Sequence, residues 1–163
     1  WQAARAMEID SIIEPSRVLG NVEARSKKHA LDILSEMLAG AGENLTQGKV
    51  FDSLISREKV GCTAMHGGIA IPHGCIEGLD RVVGAFVKLG HPVDYDTADG
   101  SPVDLMFAII LPETNGECHS SDLKDIARSL KDPELLDMLR SAKSSRALYD
   151  MLTHHRSAQP ASA

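Results

Sequence analysis

The sequence predicts an α/β sandwich in which helices cover a central mixed β-sheet. Two apolar segments, 82–89 and 103–111, show little alternation of polar and apolar residues, which is typical of strands buried on both faces. Segments with helical periodicity come before and after them. The 163 residues, 43% of them hydrophobic, are enough for one well-packed domain. We therefore expect a single domain at 7–153, a non-native or disordered leader at 1–6 and a disordered tail at 154–163.

The first part of the chain predicts an extended segment followed by two helices. Residues 7–14 suggest a short helix or turn that ends at Pro15, and residues 17–24 suggest an extended segment. Ser26 is a suitable N-cap for a helix that ends at Gly40, since the intervening apolar residues recur at helical spacing. Thr46 is a suitable N-cap for a second helix, which carries Arg57 near its C-terminal end.

The middle and the end of the chain predict paired strands and then three helices. The Asp99-Gly100 turn signal suggests that 82–89 and 103–111 pair closely, with a short strand at 92–96 between them. A loop at 113–117 is expected to lead into the first of these helices. The second should begin at Asp132-Pro133 and the third at Ser144 or Ser145.

Composition excludes several classes of protein. The net charge is −6, from 17 basic and 23 acidic residues, and the basic residues do not cluster, so we expect no nucleic-acid partner. The longest apolar stretch, at 105–111, is too short to cross a bilayer, so we expect no membrane insertion. The three cysteines form no CxxC pair and no secretory leader is evident, which favours a reducing cytoplasm.

Pro72-His73-Gly74 is the segment most suggestive of chemistry. Proline fixes its own φ and favours extended geometry in the residue before it, so Ile71 should end a strand and His73 should begin a turn. Gly74 would then leave its amide open to an anion beside the imidazole. The alternative is a strand end whose histidine merely faces solvent.

Two segments resemble a known family. Residues 56–63, followed by 68–74, look like the signature of the enzyme IIA family of the bacterial phosphoenolpyruvate:sugar phosphotransferase system, in its fructose/mannitol superfamily. Among its branches, the nitrogen-regulatory one is the most similar. The resemblance implies the same α/β sandwich, and it implies that His73 is the phosphorylated residue.

The resemblance also implies partners and a role. The phosphodonor would be a phosphohistidine on a small HPr-like protein, and the output would be regulation of target proteins in nitrogen, carbon or potassium metabolism. A sugar-transport component that passes the phosphoryl group to a IIB protein is the alternative. No IIB or membrane IIC module is attached within this sequence, which favours regulation.

Arg57 and His119 are the candidates for assisting His73. A guanidinium group matches phosphate geometry, and the resemblance places an arginine of this motif near the active site. Relatives also carry a second histidine at the start of the helix after the last central strand, which corresponds here to His119, although Ser120 replaces the usual leucine. Read without the family, Arg57 could be a solvated helix-end arginine and His119 an idle surface histidine.

The amides of Gly74 and Gly68 are candidates for phosphate contact. The Gly67-Gly68 pair lacks the lysine of a nucleotide-binding loop, which favours a protein phosphodonor over ATP. We expect no cofactor, because an arginine, backbone amides and an imidazole can stabilise the transferred group.

The cysteines and histidines allow one further interpretation. His66, His73, Cys75, Cys118 and His119 together raise the possibility of a metal-binding module. Their spacing does not provide the close pairs that structural zinc sites use, so we expect no metal. A thiol nucleophile at Cys75 is disfavoured too, since no orienting carboxylate is evident. Each cysteine is expected to be a small, buried or half-buried residue.

Overall fold

A computed structural model describes residues 9–154 of the protein. They form three layers, with a seven-stranded mixed sheet between two groups of helices, so the predicted fold class is confirmed. One face of the sheet packs against α1 (Lys27–Ala39) and α2 (Gln47–Val60). The other face packs against α3 (Ser121–Leu130), α4 (Pro133–Ser141) and α5 (Ser145–His154).

The sheet has the strand order β1-β5-β6-β3-β2, with β4 and β7 also pairing with β6. Its strands are β1 (Val18–Val22), β2 (Ala64–Met65), β3 (Ile69–Ala70), β4 (His73–Glu77), β5 (Val83–Val93), β6 (Val103–Thr114) and β7 (Glu117–Cys118). β5 and β6 are antiparallel, whereas β3 and β4 both run parallel to β6. β6 is therefore the central strand, since β3, β4, β5 and β7 all pair with it.

The predicted helix starts in the first part of the chain are confirmed. The Ser26 side chain accepts a hydrogen bond from the amide of His29, and Thr46 accepts one from Lys49, so each caps its helix as expected. The predicted extended segment contains β1. Before β1, Ile9–Ser11 and Pro15–Arg17 form short 3₁₀ helices. Pro15 was expected only to end the first segment, but it also begins the second 3₁₀ helix.

The central strands are found where the sequence predicts them, and two connections differ. Residues 92 and 93 belong to the end of β5 and residues 94–96 form no strand, so the predicted short strand is wrong. The predicted loop at 113–117 is also wrong, because β6 and β7 form a hairpin there. Its turn residues are Asn115 and Gly116, with φ of 55° and 81°. Both adopt positive φ, as a two-residue turn of this kind requires.

The C-terminal helices match the prediction closely. Asp132 caps α4 through the amide of Glu134, and Pro133 occupies the first turn. Ser144 is the residue that caps α5, since its hydroxyl accepts from the amide of Ala147 at 3.0 Å. His154 belongs to α5, so the predicted tail begins at least one residue too early. The predicted leader at 1–6 and the rest of the predicted tail lie outside the described residues.

The segment around His73 differs from the prediction in a way that matters for the site. β3 ends at Ala70, just before Ile71, but His73 begins strand β4 and not a turn. Gly74 is buried in that strand, opposite Ile110. A Cβ at Gly74 would lie 2.9 Å from the backbone carbon of Ser53 in α2. The glycine is therefore needed for close packing of α2 on β4.

Gly74→Ala should destabilise the protein by about 1–3 kcal/mol, because the added methyl group pushes α2 away from β4. Urea denaturation measures this change. Gly48→Ala is the matched control, since a Cβ at Gly48 meets nothing within 4 Å and alanine favours the helix. An alanine at position 74 with unchanged stability would contradict this account of the packing.

Candidate functional site

The imidazole of His73 is held in one orientation by hydrogen bonds to both ring nitrogens. Nδ1 lies 2.9 Å from the carbonyl oxygen of Ile71, and Nε2 lies 3.1 Å from Nε of Arg57. A carbonyl can only accept and a guanidinium can only donate. Nδ1 therefore carries the proton, and Nε2 is the unprotonated nitrogen, whose lone pair accepts the hydrogen bond from Arg57.

Burial keeps this ring neutral. The pKa of His73 is lowered from 6.5, chiefly because half-burial disfavours the charged imidazolium. The hydrogen bond to Ile71 acts in the opposite direction, the positive charge of Arg57 lowers the pKa further, and Glu58 raises it. The net result is an unprotonated Nε2 at neutral pH, which is the form that can attack an electrophile.

Arg57 is positioned by the end of α2. It lies in the last turn of the helix and donates a second hydrogen bond, from a terminal nitrogen to the carbonyl oxygen of Gly61 at 2.8 Å. This bond fixes the side chain while its Nε faces the imidazole. Arg57 thus does more than interact with the helix dipole, because it contacts the candidate nucleophile directly.

Glu58 is a residue of this region to which sequence reasoning gave no role. Its side chain is only 5% exposed and forms an ion pair with Lys27 at 2.9 Å. It also accepts hydrogen bonds from the hydroxyl groups of Tyr95, at 3.0 Å, and Thr63. These contacts tie the end of α2 to three other segments and thereby support the position of Arg57. The available signal was an acidic residue in a last helical turn, where the helix dipole is unfavourable to it.

His119 belongs to the segment that the Cys75–Cys118 disulfide joins to the His73 strand. It directly follows Cys118, whose Cα lies 5.7 Å from that of Cys75. Standard chain spacing then places the Cα atoms of His73 and His119 within about 16 Å of each other. The His119 ring is exposed. Its backbone amide donates to Pro112 at 3.0 Å, just before the N-cap of α3.

The two glycines proposed for phosphate contact are not arranged for it. The amide of Ile109 donates to Pro72, and in a parallel ladder of this register the Gly74 amide donates to Ile109, so it is not free for an anion. The Gly68 carbonyl accepts from the amides of Asp104 and Leu105. Leu105 is four residues, or about 13 Å, along β6 from the residue opposite His73.

Cys75 and Cys118 form a disulfide bond, which the sequence did not predict. Both are half-buried, as expected, but their bond removes two of the five residues considered as metal ligands. Within the described part of the chain, no three His, Cys, Asp or Glu residues are grouped to hold a metal ion. Cys62, which was also expected to be buried or half-buried, is instead exposed and has a free thiol.

The helices of the described segment do not include one that is long and apolar enough to cross a membrane. The candidate site is a half-buried histidine at the start of β4 with an arginine of α2 hydrogen-bonded to its ring.

Comparisons with known proteins agree with this fold. The family model for the phosphoenolpyruvate-dependent sugar phosphotransferase system, EIIA 2, matches residues 11–155. The chain is 38% identical over 148 residues to a nitrogen regulatory protein of Bradyrhizobium diazoefficiens, covering 90% of this chain and 95% of the relative. It is also 38% identical over 148 residues to a nitrogen regulatory protein of Escherichia coli, covering 90% of each.

A solved structure is similar over the same length. The crystal structure of the nitrogen regulatory protein IIA-Ntr from Neisseria meningitidis superposes with a TM-score of 0.79 at 32% identity, covering 89% of this chain and 99% of that one. The resemblance seen in the sequence is thereby confirmed, including its nitrogen-regulatory branch. The chain belongs to the EIIA 2 family of the phosphoenolpyruvate-dependent sugar phosphotransferase system.

Proposed function

We propose that the chain is a phosphocarrier in which Nε2 of His73 accepts a phosphoryl group from a phosphohistidine on an HPr-like protein. The observation that carries this proposal is the oriented imidazole, with its proton on Nδ1 and its Nε2 lone pair beside Arg57. Membership of a phosphotransferase family supports it.

The transfer needs only the two imidazoles and the groups around them. The Nε2 lone pair forms a bond to phosphorus as the nitrogen–phosphorus bond of the donor breaks, and the donor imidazole keeps that electron pair. His73 then carries the phosphoryl group on Nε2 and the proton on Nδ1. The carbonyl of Ile71 stabilises this cationic ring, which is a good leaving group for onward transfer.

Arg57 supplies the positive charge that the transferred group requires. A phosphoryl group brings up to about two negative charges, and a guanidinium donates to its oxygens in a matching geometry. The hydrogen bond that Arg57 now makes to Nε2 would pass to a phosphoryl oxygen. His119, at the start of α3, is a second candidate donor to the same group.

The proposed output is regulation. Adding charge at a half-exposed histidine changes the electric field of one face, so target proteins would bind the two forms with different affinity. The relatives named nitrogen regulatory proteins support control of nitrogen metabolism, and we extend this role to carbon and potassium metabolism. We expect these partners to be cytoplasmic.

Incubation with a phosphorylated HPr-like donor should add one phosphoryl group that survives alkali and is lost in acid. Intact-mass spectrometry and radiolabel counting measure it. His73→Ala should abolish labelling, and Cys62→Ser, which alters an exposed residue, should not. Labelling of His73→Ala at an unchanged rate would show that the site is wrong. Rapid transfer from the labelled protein to a sugar-specific IIB protein would favour the transport role.

The titration midpoint of His73, measured by NMR, should lie below 6.5, because burial lowers its pKa. Labelling should therefore persist at a pH where an ordinary histidine is protonated. Arg57→Gln should raise the pKa of His73, because it removes a positive charge beside the ring.

The same shift predicts how stability depends on pH. The unfolded chain takes up the His73 proton at higher pH than the folded protein does. This histidine therefore makes the free energy of unfolding fall as the pH decreases below 6.5 towards its folded-state pKa. An NMR titration midpoint of His73 at or above 6.5 would contradict the buried environment assigned to its ring.

Arg57→Ala should slow phosphoryl acceptance by about a hundredfold, which is typical of losing one preorganised donor to a transferred group. His119→Ala should cause a smaller loss, of about tenfold, if its ring donates one hydrogen bond to the phosphoryl group. Arg146→Ala is the matched control, because this arginine is 70% exposed on α5 and pairs only with Asp150 among the described carboxylates. Quench-flow labelling measures the rates, and equal rates in all three variants would exclude both assignments.

A further inference from the structure

We propose that the Cys75–Cys118 disulfide is a reversible redox-modification site that controls how readily His73 accepts a phosphoryl group. The inference rests on the proposed function and concerns the same site. It begins from the position of the bond, which joins the strand of the candidate nucleophile to the segment that carries His119.

One end of the disulfide is part of the His73 strand. Cys75 is two residues beyond His73 in β4, and side chains two apart in a strand leave the same face. Gly74, between them, faces Ser53 of α2 on the opposite side. The disulfide and the imidazole are therefore neighbours on one face of the strand.

The other end of the disulfide, Cys118, lies in the short segment 117–120, which makes few other hydrogen bonds to the rest of the described chain. β7 has two residues, which pair with Glu113 and Thr114 of β6. His119 follows with one backbone bond to Pro112, and the Ser120 side chain does not cap α3. The disulfide is thus a covalent link between the segment that precedes α3 and the strand of His73.

The bond is accessible to small reductants. Cys75 and Cys118 are each half-buried, and the hairpin turn beside Cys118 is exposed. In a reducing compartment, such as the one that the cysteine content predicts, disulfides are usually transient and serve catalysis or redox sensing. A permanent structural bond is the expectation only for an oxidising compartment.

The chemistry is a two-electron exchange. A dithiol reductant attacks one sulfur of the disulfide, and after exchange it becomes a disulfide while Cys75 and Cys118 become thiols. A peroxide restores the bond: the two thiols lose two electrons and two protons, and the peroxide is reduced to water or to an alcohol and water.

Reduction should loosen the segment that precedes α3 and leave the core intact. The fully buried residues of α3, Ile126 and Leu130, lie further along the helix, and Leu123 of its first turn packs against the same core, so the helix stays in place. The oxidised protein would hold His119 close to the phosphoryl group on His73. The reduced protein would lose that positioning and accept the group more slowly.

The test compares labelling rates of the oxidised and reduced wild-type protein with the same phosphodonor. The oxidised form should label about tenfold faster, the expected loss on misplacing one donor. Thiol alkylation followed by mass spectrometry reports the state of each cysteine. Reoxidation should restore the fast rate, which shows that reduction did not simply unfold the protein.

Cysteine variants and hydrogen exchange distinguish the redox proposal from the proposed phosphocarrier function. Cys75→Ser/Cys118→Ser should label at the slow rate with and without reductant, while Cys62→Ser should behave as wild type. Amides of residues 117–123 should exchange faster after reduction, and those of β5 should not. Equal labelling of the two wild-type forms would overturn the redox proposal alone, whereas absence of labelling in both would overturn the proposed function.

Discussion

The close contact between α2 and β4 is the constraint on which the site depends. It is possible because Gly74 has no side chain where Ser53 approaches, and the Ser53 hydroxyl also donates to the carbonyl oxygen of Cys75 at 3.1 Å. This contact fixes the distance between the C-terminal end of α2 and strand β4. Arg57, one turn further along α2, then reaches the Nε2 atom of His73. A wider separation of the two elements would remove the arginine from the ring without altering either residue.

The charges around this contact suit a group that alternates between neutral and anionic states. Burial and Arg57 keep the imidazole unprotonated. Under the proposed function, Arg57 would then face the phosphoryl oxygens. Glu58 could oppose an anion, but Lys27 pairs with it and two hydroxyl groups donate to it. These contacts offset its negative charge, although Glu58 still acts to raise the pKa of His73. The same buried contacts hold the end of α2, so one cluster both positions the arginine and limits repulsion.

The sequence predicted most of the framework because the signals that determine it are local. Ser26, Thr46 and Asp132 cap their helices as expected, since capping depends on one side chain and the next three amides. Arg57 and His73 could be paired through the family motif. The role of Gly74 could not be deduced, because the residue it must avoid belongs to a helix about twenty positions earlier. The cysteine pairing was equally hidden, since its two residues are 43 positions apart and spacing does not determine connectivity. The β6–β7 hairpin, in contrast, has a local signal, because the dipeptide Asn115-Gly116 favours a two-residue hairpin turn. The expectation of a loop there overlooked this signal.

The two proposed modifications, phosphorylation of His73 and oxidation of Cys75, would both take place on strand β4. Phosphorylation would act at Nε2 of His73 and oxidation at the sulfur of Cys75, two residues away on the same face. Thermodynamic linkage makes any coupling between their equilibria reciprocal. If the disulfide shifts the equilibrium of phosphoryl transfer tenfold, phosphorylation must shift the dithiol–disulfide equilibrium tenfold, which is about 30 mV for a two-electron couple. A shift of that size is small beside the range of protein disulfide potentials. It would nevertheless change the oxidised fraction wherever the surrounding reductant is poised near the midpoint, so the phosphorylation state would itself influence the redox state of the protein.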